Sequence, residues 1–452
     1  MRLNHWKKVI VLAVVAPCVT LFAQSFKAGA GKADIQTTPS MFPISEFSGQ
    51  HDPVSTRVLL LDDGSQRIVI LTVDTPSIQD PSIVEWKAIL TKITGVKSEN
   101  SLVIATHTTP APHVLSGVTL GAAPGAAAGV QNMAPAQLAN AMAYAKAVDD
   151  AVEAAATKAL STLQPAQVGF GLGSSRVNVY RYVSTAKGWA AGFDDTGFTD
   201  PSLPIVRFDS MDGKPLAWLM NYAVRPAIME RSKTADGGML ISADIVGPAR
   251  RFLESQYGSG ATAIFLMGAD VDQAPLFMAN YSVFDKEGNS SQVDIHEAGF
   301  TLVDLLGGRL GRSALKANEG IKATKTPAAL RLARQSVELT TQAHPPHNAG
   351  DPAEPGGAAV KFPFVVLQIG DFAFVGMAAE LDAALGVKIK TESPFANTIV
   401  VAMVEGAASP LPGETNYDRK TPAAVNSQYA RGSAEKVAAA IQVQLKQFHD
   451  SK

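Results

Sequence analysis

The sequence predicts an α/β fold: a mixed sheet with flanking helices in a single large catalytic-type domain. Three observations predict it. Apolar strand-like runs alternate with helical stretches along the chain. Short turn signals join several consecutive runs, so the sheet is mixed rather than purely parallel. Hydrophobic residues make up 46% of the 452 residues and charged residues 18%, enough apolar surface for a substantial core.

The elements follow in order. Residues 57–62 and 67–73 flank Asp63-Gly64-Ser65, a hairpin signal. Residues 83–93 have helical spacing, and 102–106 form a short buried strand. Residues 121–129 are a Gly/Ala/Pro loop. The alanine-rich run 136–163 predicts one long helix, because alanine loses no side-chain entropy there. Residues 204–208 and 216–224 flank Asp212-Gly213 as a second hairpin. A helix over 244–257, a strand over 261–267 and a helix over 296–315 come next. Residues 342–358, rich in Pro and Gly, are a surface insertion. Residues 362–369 and 372–377 form a third hairpin around Gly370-Asp371; a helix over 381–390 and a strand over 398–404 follow. Val437, Ile441, Leu445 and Phe448 place one apolar face on a C-terminal helix.

The N-terminus predicts export. Arg2, Lys7 and Lys8 precede the apolar run 9–22, and Ala23 precedes Gln24-Ser25. This is the three-part logic of a secretory signal over residues 1–23, too short for a membrane span. The chain is therefore expected in the periplasm or outside the cell. The one cysteine, Cys18, lies inside the signal, where Pro17 fits a lipid-attachment site poorly. The mature chain, 24–452, then has neither disulfides nor thiol chemistry. Its later apolar runs are too short or interrupted to span a bilayer. A net charge of −2 argues against a nucleic-acid partner.

Several residues are chemical candidates. His107, in Ala105-Thr106-His107-Thr108-Thr109, follows a buried strand, where α/β enzymes often place chemistry. Spacing alone favours a hydrogen-bonded histidine under a loop, since zinc needs three or four convergent ligands. His113 lies past two prolines and reads as a second ligand or a surface residue. His51-Asp52 is either an oriented imidazole or a turn capped by Asp52. His344 and His347 sit in the insertion, where ordering a flexible loop around a metal costs entropy. Asp270 and Asp272 end a strand and either bind a hard cation or cap a loop. Glu380 is either a ligand or a first-turn carboxylate favoured by the helix dipole. There is no G-x-S-x-G, phosphate-binding glycine loop or H-E-x-x-H.

An ordered set of blocks adds to this. GKADIQTTPS, from Gly31, resembles a G-x-A-D-I-T-x-P opening, and GQHDPVSTRVLLLDDGSQRIVILTVD an HDP…R-x-L-V-L-D-D-G block. SLVIATHTTPAP is similar to ATHTHSGP, and DPSLPIVRFDSMDGKPLAWLMNYAVRP to a block ending in HP. MLISADIVGPARRFLE, FLMGADVDQAP and GDFAFVGMAAEL resemble L-I-S-A-D-x-x-G, GAAGDQNP and G-x-x-x-x-x-G-x-P-G-E. In this order they resemble the neutral/alkaline (non-lysosomal) ceramidase family, zinc-dependent amidases that cleave the N-acyl bond of ceramide.

The resemblance implies an α/β catalytic domain and a lipid or other small-molecule substrate, with contact at a membrane surface. Family ceramidases carry an additional C-terminal immunoglobulin-like domain; this chain is expected to end before one, as the catalytic domain alone over residues 24–452. The resemblance also implies a site. The first histidine of the family's HTH falls on His107 and the glutamate ligand on Glu380. The second HTH histidine falls on Thr109 and the HP ligand on Arg225. The N-x-Y-x-x-Y tyrosines fall on Ala407 and Pro410, and the serine of GDVSP on Ala274 or, with the gap moved, Asp272. Two of four zinc ligands, His107 and Glu380, thus survive, and His107, Asp272 and Arg225 are the residues expected at the reacting centre. A permanent cation at Arg225 repels Zn²⁺, by several kcal/mol where poorly solvated (roughly, from Coulomb's law). Arg225 is expected to pair with Glu380 instead, while His113, Asp244 or Asp270 would be needed to rebuild a metal site. Two functions stay open: a ceramidase-like hydrolase with a degenerate zinc site, or an inactive family member that binds a lipid, glycan or protein through the old cleft.

Overall fold

The computed structural model describes residues 26–115, 133–258, 260–322, 330–343, 355–406 and 409–451. The signal segment with Cys18, the 121–129 loop, His344, His347 and Ala407 lie outside the described residues.

The chain forms four layers, helix on sheet on sheet on helix. The larger sheet has eight strands, in the order Thr262–Met267, Pro215–Tyr222, Ser202–Ser210, Gln164–Ser174, Lys27–Asp34, Ser55–Asp62, Arg67–Val73, Ser101–Ala105. The two outermost pairs are parallel and the inner neighbours antiparallel, so the sheet is mixed as expected. Side chains alternate across it. Val58 and Leu60 face a helical layer, while Leu59 and Leu61 face the second sheet.

The helical layer comprises Asp80–Thr94, Pro135–Ser161, Val246–Ser255 and Gly299–Glu319. The alanine richness of Pro135–Ser161 has a packing cause. This helix lies so close to the first strand that a Cβ on Gly29 would sit 2.2 Å from the Ala159 carbonyl oxygen. Only small residues on both sides allow that approach.

The second sheet runs Leu330–Thr340, Ala359–Ile369, Phe372–Met377, Asn397–Val401. Its inner face (Leu367, Phe374, Ile399, Val401) completes the core between the sheets. Its outer face buries Phe362, Phe364 and Val375 under the C-terminal helix Ser433–Asp450. Val437, Ile441, Leu445 and Phe448 are the face of that helix, as their spacing predicts. Four such side chains, at about 1.5–3 kcal/mol each, dock the helix firmly.

The two sheets converge at one end. Glu405 N–H donates to the Val103 carbonyl (2.8 Å), Ala402 N–H to Met267 (3.0 Å) and Val404 N–H to Met377 (2.9 Å). The Asn221 amide bridges the Leu266 and Val400 carbonyls at 3.0 and 2.9 Å. The loops that carry His107, Arg225, Asp270 and Glu380 leave from this stitched end. Among the described residues no helix is long and apolar enough to cross a membrane.

Candidate active site

His107 follows the Ser101–Ala105 strand, and Arg225 follows Pro215–Tyr222. Asp270 and Asp272 follow Thr262–Met267, and Glu380 follows Phe372–Met377. The carboxyl ends of strands from both sheets thus bring together residues up to 273 positions apart (380 minus 107), where α/β folds commonly bind ligands.

His107 sits at φ 59°, in the left-handed region. That conformation is costly for a residue with a Cβ and persists where its surroundings hold it. Thr106 N–H donates to the Val73 carbonyl on one side and Thr108 N–H to the Thr75 carbonyl on the other, 3.0 and 3.1 Å. The Nδ1–H of His107 donates to the Pro76 carbonyl, which sets the tautomer and turns Nε2 inward. Nε2 lies 2.6 Å from Glu380 Oε1 without the alignment of a hydrogen bond, and both groups are buried.

Arg225 Nη2 donates to the same Glu380 Oε1 at 2.6 Å. The pair expected from the sequence is therefore formed, and the imidazole and guanidinium share one carboxylate oxygen. Thr109 secures the loop that carries Arg225. Its N–H and hydroxyl both donate to the Pro226 carbonyl, at 3.0 and 3.1 Å. Burial pushes the Glu380 carboxyl up, but Arg225 and then His107 outweigh it, and Glu380 stays ionised well below the usual carboxylate range. Burial likewise opposes the charge on Arg225, but Glu380 and Asp270 more than compensate.

Asp270 has the opposite balance. It is fully buried, neither carboxyl oxygen has a hydrogen-bond partner, and Arg225 Nε stands 3.8 Å away. Burial, reinforced by the Glu380 charge, pushes its pKa well above the usual value.

Asp272 is buried beside these groups, but its side chain is held elsewhere. Its Oδ1 accepts from Ala383 N–H (3.1 Å) and from the Gln273 amide (3.2 Å). Burial and the neighbouring Asp382 raise its pKa to about 7. Ala274 forms part of the short Gln273–Pro275 strand and lines a cavity with Arg225.

The other candidates have local partners. His113 Nδ1 meets the Ser77 hydroxyl at 3.3 Å, and burial followed by the nearby His107 lowers its pKa. His51 stacks on Phe300 with centroids 3.5 Å apart, and its Nδ1 meets Asp52 Oδ2 at 3.1 Å, the oriented imidazole of the two readings, though half-exposed. Asp52 caps Ala243 N–H (3.0 Å), a contact distant in sequence rather than a local turn. Asp244 (φ 51°) accepts from Met229 and Ile245 N–H, and the expected 244–257 helix starts only at Val246. Glu380 is not a first-turn helix residue. It pairs with Pro410 in a two-residue strand, and the following helix starts at Ala383 with Asp382 as its cap. The helix dipole therefore does not account for a carboxylate there.

Sequence reasoning missed Arg181, which lies on the Asn178–Thr185 strand. The pairing with Gly188–Asp194 shifts register between Tyr180 and Tyr182, where the partner strand sets two residues, Gly192 and Phe193, against Arg181. Arg181 lines the same cavity as Arg225, and so do Gly192 and Phe193 of that bulge.

These residues do not fit a zinc ion. A backbone-bound Nδ1–H is the usual second partner of a metal-ligating histidine, and His107 Nε2 with Glu380 would supply two donors. Zinc needs three or four. Among the described residues no three His, Cys, Asp or Glu side chains converge to hold a metal. The position beside Glu380 Oε1 is taken by a guanidinium, a permanent cation with no lone pair to donate.

No model of a known protein family matches this chain, and no curated protein matches it. Solved structures do. The chain is similar to a ceramidase complexed with C2, with a TM-score of 0.66 and 16% identity over 93% of this chain and 74% of that one. It is similar to the neutral ceramidase from Pseudomonas aeruginosa, with a TM-score of 0.67 and 16% identity over 93% and 73%. At this identity the likeness is one of fold, and the fold is ceramidase-like.

Proposed function

We propose that this is an exported protein of ceramidase-like fold that binds an amphiphilic small molecule in its cleft without zinc-dependent amide hydrolysis. One observation carries the reading: Arg225 Nη2 lies 2.6 Å from Glu380 Oε1. A guanidinium there neutralises the carboxylate that a metal would need and satisfies it internally. Export rests on Arg2, Lys7, Lys8 and the apolar run that follows them.

The second reading is a hydrolase of N-acyl bonds, retuned in substrate or metal. The ceramidase-like fold favours it. So does Asp272, whose pKa of about 7 suits an acid or base at neutral pH.

Metal analysis of protein purified without chelators separates the two. The expected result is well under one zinc per chain and no release of fatty acid from an N-acylsphingosine. Stoichiometric zinc with hydrolysis would establish the second reading instead. Arg225→His sharpens the test, because it exchanges the cation for a third donor. Added zinc should raise the thermal midpoint of Arg225→His and leave the wild type unchanged, as a ligand that binds only the folded state must.

A further inference from the structure

Arg225 forms part of the floor of a cavity of about 240 Å³. The charge there is unbalanced. Arg181, Arg225 and Arg231 line it against a single acid, Glu230. Glu380 beneath is already shared between His107 and Arg225. Arg181 has no ion-pair or hydrogen-bond partner for its guanidinium among the described residues. Its guanidinium carbon stands 5.7 Å from the centre of the Tyr182 ring, and it acts on Asp270 and Glu380 only through space. Arg225 Nε makes no hydrogen bond and faces Asp270 Oδ2 at 3.8 Å. A cavity that holds one guanidinium without an anionic partner beside a second, partly engaged one suits an anion, since two such groups match the two oxygens of a carboxylate.

The cavity does not end at its cationic floor. It shares Gly192, Phe193, Tyr281 and Ser282 with an open groove of about 630 Å³. The groove runs between two hairpins, Asn178–Thr185 with Gly188–Asp194 and Asn280–Phe284 with Ser290–Asp294. Val183, Phe193, Tyr281, Val283 and Phe284 give it an apolar lining. Phe277, between the lining residues Pro275 and Met278, is 55% exposed. A cationic end leading into an apolar trough has the polarity of one molecular shape, a single chain with an anionic head.

We propose that this cavity binds a carboxylate-headed, single-chain amphiphile, with Arg181 and Arg225 on the carboxylate and the chain in the groove between the two hairpins. The inference rests on the metal-free reading above and names its ligand. With Glu380 already neutralised from below, Arg181 and Arg231 against Glu230 leave about one positive charge, which suits a monoanion better than a phosphate dianion. A neutral head would leave Arg181 as it stands, without a partner.

The test is calorimetric titration of the whole exported chain with decanoate below its micellar concentration. Decanol, decyltrimethylammonium, decyl phosphate and butyrate are the comparison probes. Decanoate should bind one per chain and at least tenfold more tightly than each of the others. Arg181→Gln should weaken decanoate about tenfold, leave decanol unchanged and keep the urea midpoint of the wild type; Arg181→Lys should restore part of the loss. Arg231→Gln, on an exposed side chain, should weaken decanoate about twofold to fivefold. Equal binding of decanol or decyltrimethylammonium, tighter binding of decyl phosphate, or an unchanged affinity in Arg181→Gln would overturn the assignment. Metal-free protein that ignores decanoate sinks this inference alone. Zinc in the purified protein sinks the reading beneath it, whatever decanoate does.

Discussion

Two clusters of buried charge meet at Thr106-His107, and they are built on different terms. In the first, Arg250 grips Asp74 with two parallel bonds of 2.8 and 2.7 Å. Asp74 also accepts from Ser55 N–H (2.8 Å) and the hydroxyls of Ser55 and Thr106 (3.1 and 3.2 Å). Arg57 donates to Glu254 and to the Ala263 carbonyl, and Glu254 also accepts from Ala263 N–H and Lys32. Every carboxylate oxygen of that network is satisfied, although Arg250 Nε is buried without a hydrogen bond. In the second cluster both carboxyl oxygens of Asp270 are buried without hydrogen-bond partners. A buried carboxyl with neither oxygen hydrogen-bonded is costly to keep and marks a site kept for something other than stability. The first cluster fixes the strand end from which His107 projects, and the second is left open toward a cavity.

The contrast breaks if the two clusters respond alike to losing a carboxylate. Asp74→Asn leaves Arg250 buried and uncompensated, and should cost about 3–5 kcal/mol. Urea unfolding monitored by circular dichroism measures it; a loss under about 1 kcal/mol would remove the structural role assigned to the first cluster. Glu380→Gln should cost less, about 2–3 kcal/mol, because Arg225 keeps Asp270 nearby and borders a cavity that admits water. A larger loss for Glu380→Gln than for Asp74→Asn would reverse the comparison.

Much of this was legible in the sequence, for reasons that differ by residue. Strand and helix positions followed from apolar runs and turn dipeptides, because those patterns are local. His107 was flagged because it ends a buried strand, but its spacing alone favoured a plain hydrogen-bonded histidine; the resemblance made it a site residue and paired Arg225 with Glu380, because two positions expected at one metal must lie side by side. Arg181 was not legible. It faces a register shift in the neighbouring Gly188–Asp194 strand, which leaves no trace in periodicity. Glu380 looked like a helix start because the apolar spacing of the helix after it runs back to Leu381, while Asp382, with bonds to Ala384 and Leu385 N–H, starts the helix two residues later. The unpartnered state of Asp270 depends on groups from distant segments, Arg225 and Glu380 among them, gathering around it. No single stretch of sequence carries that information.

The smallest expected effect separates the carboxyl groups of the second cluster by the sign of their pH dependence. Glu380 is held ionised, so its contribution is present above its unfolded value near 4.5 and is lost as the pH falls below it. Asp272 is held neutral, so its contribution is full below 3.8 and declines as the pH rises through about 7. Asp382, raised by burial as well, stands opposite and resists a second charge. Between pH 6 and pH 7 Asp272 alone should take about 1 kcal/mol from the stability of the wild type, by linkage between the two pKa values. Asp272→Asn keeps the shape, can still accept from Ala383 N–H, and cannot ionise. Its urea midpoint should therefore fall less than that of the wild type across this interval. An identical slope in the two proteins would mean that Asp272 is already ionised at pH 6, and the second cluster would then carry one more anion than the cavity charge described above allows.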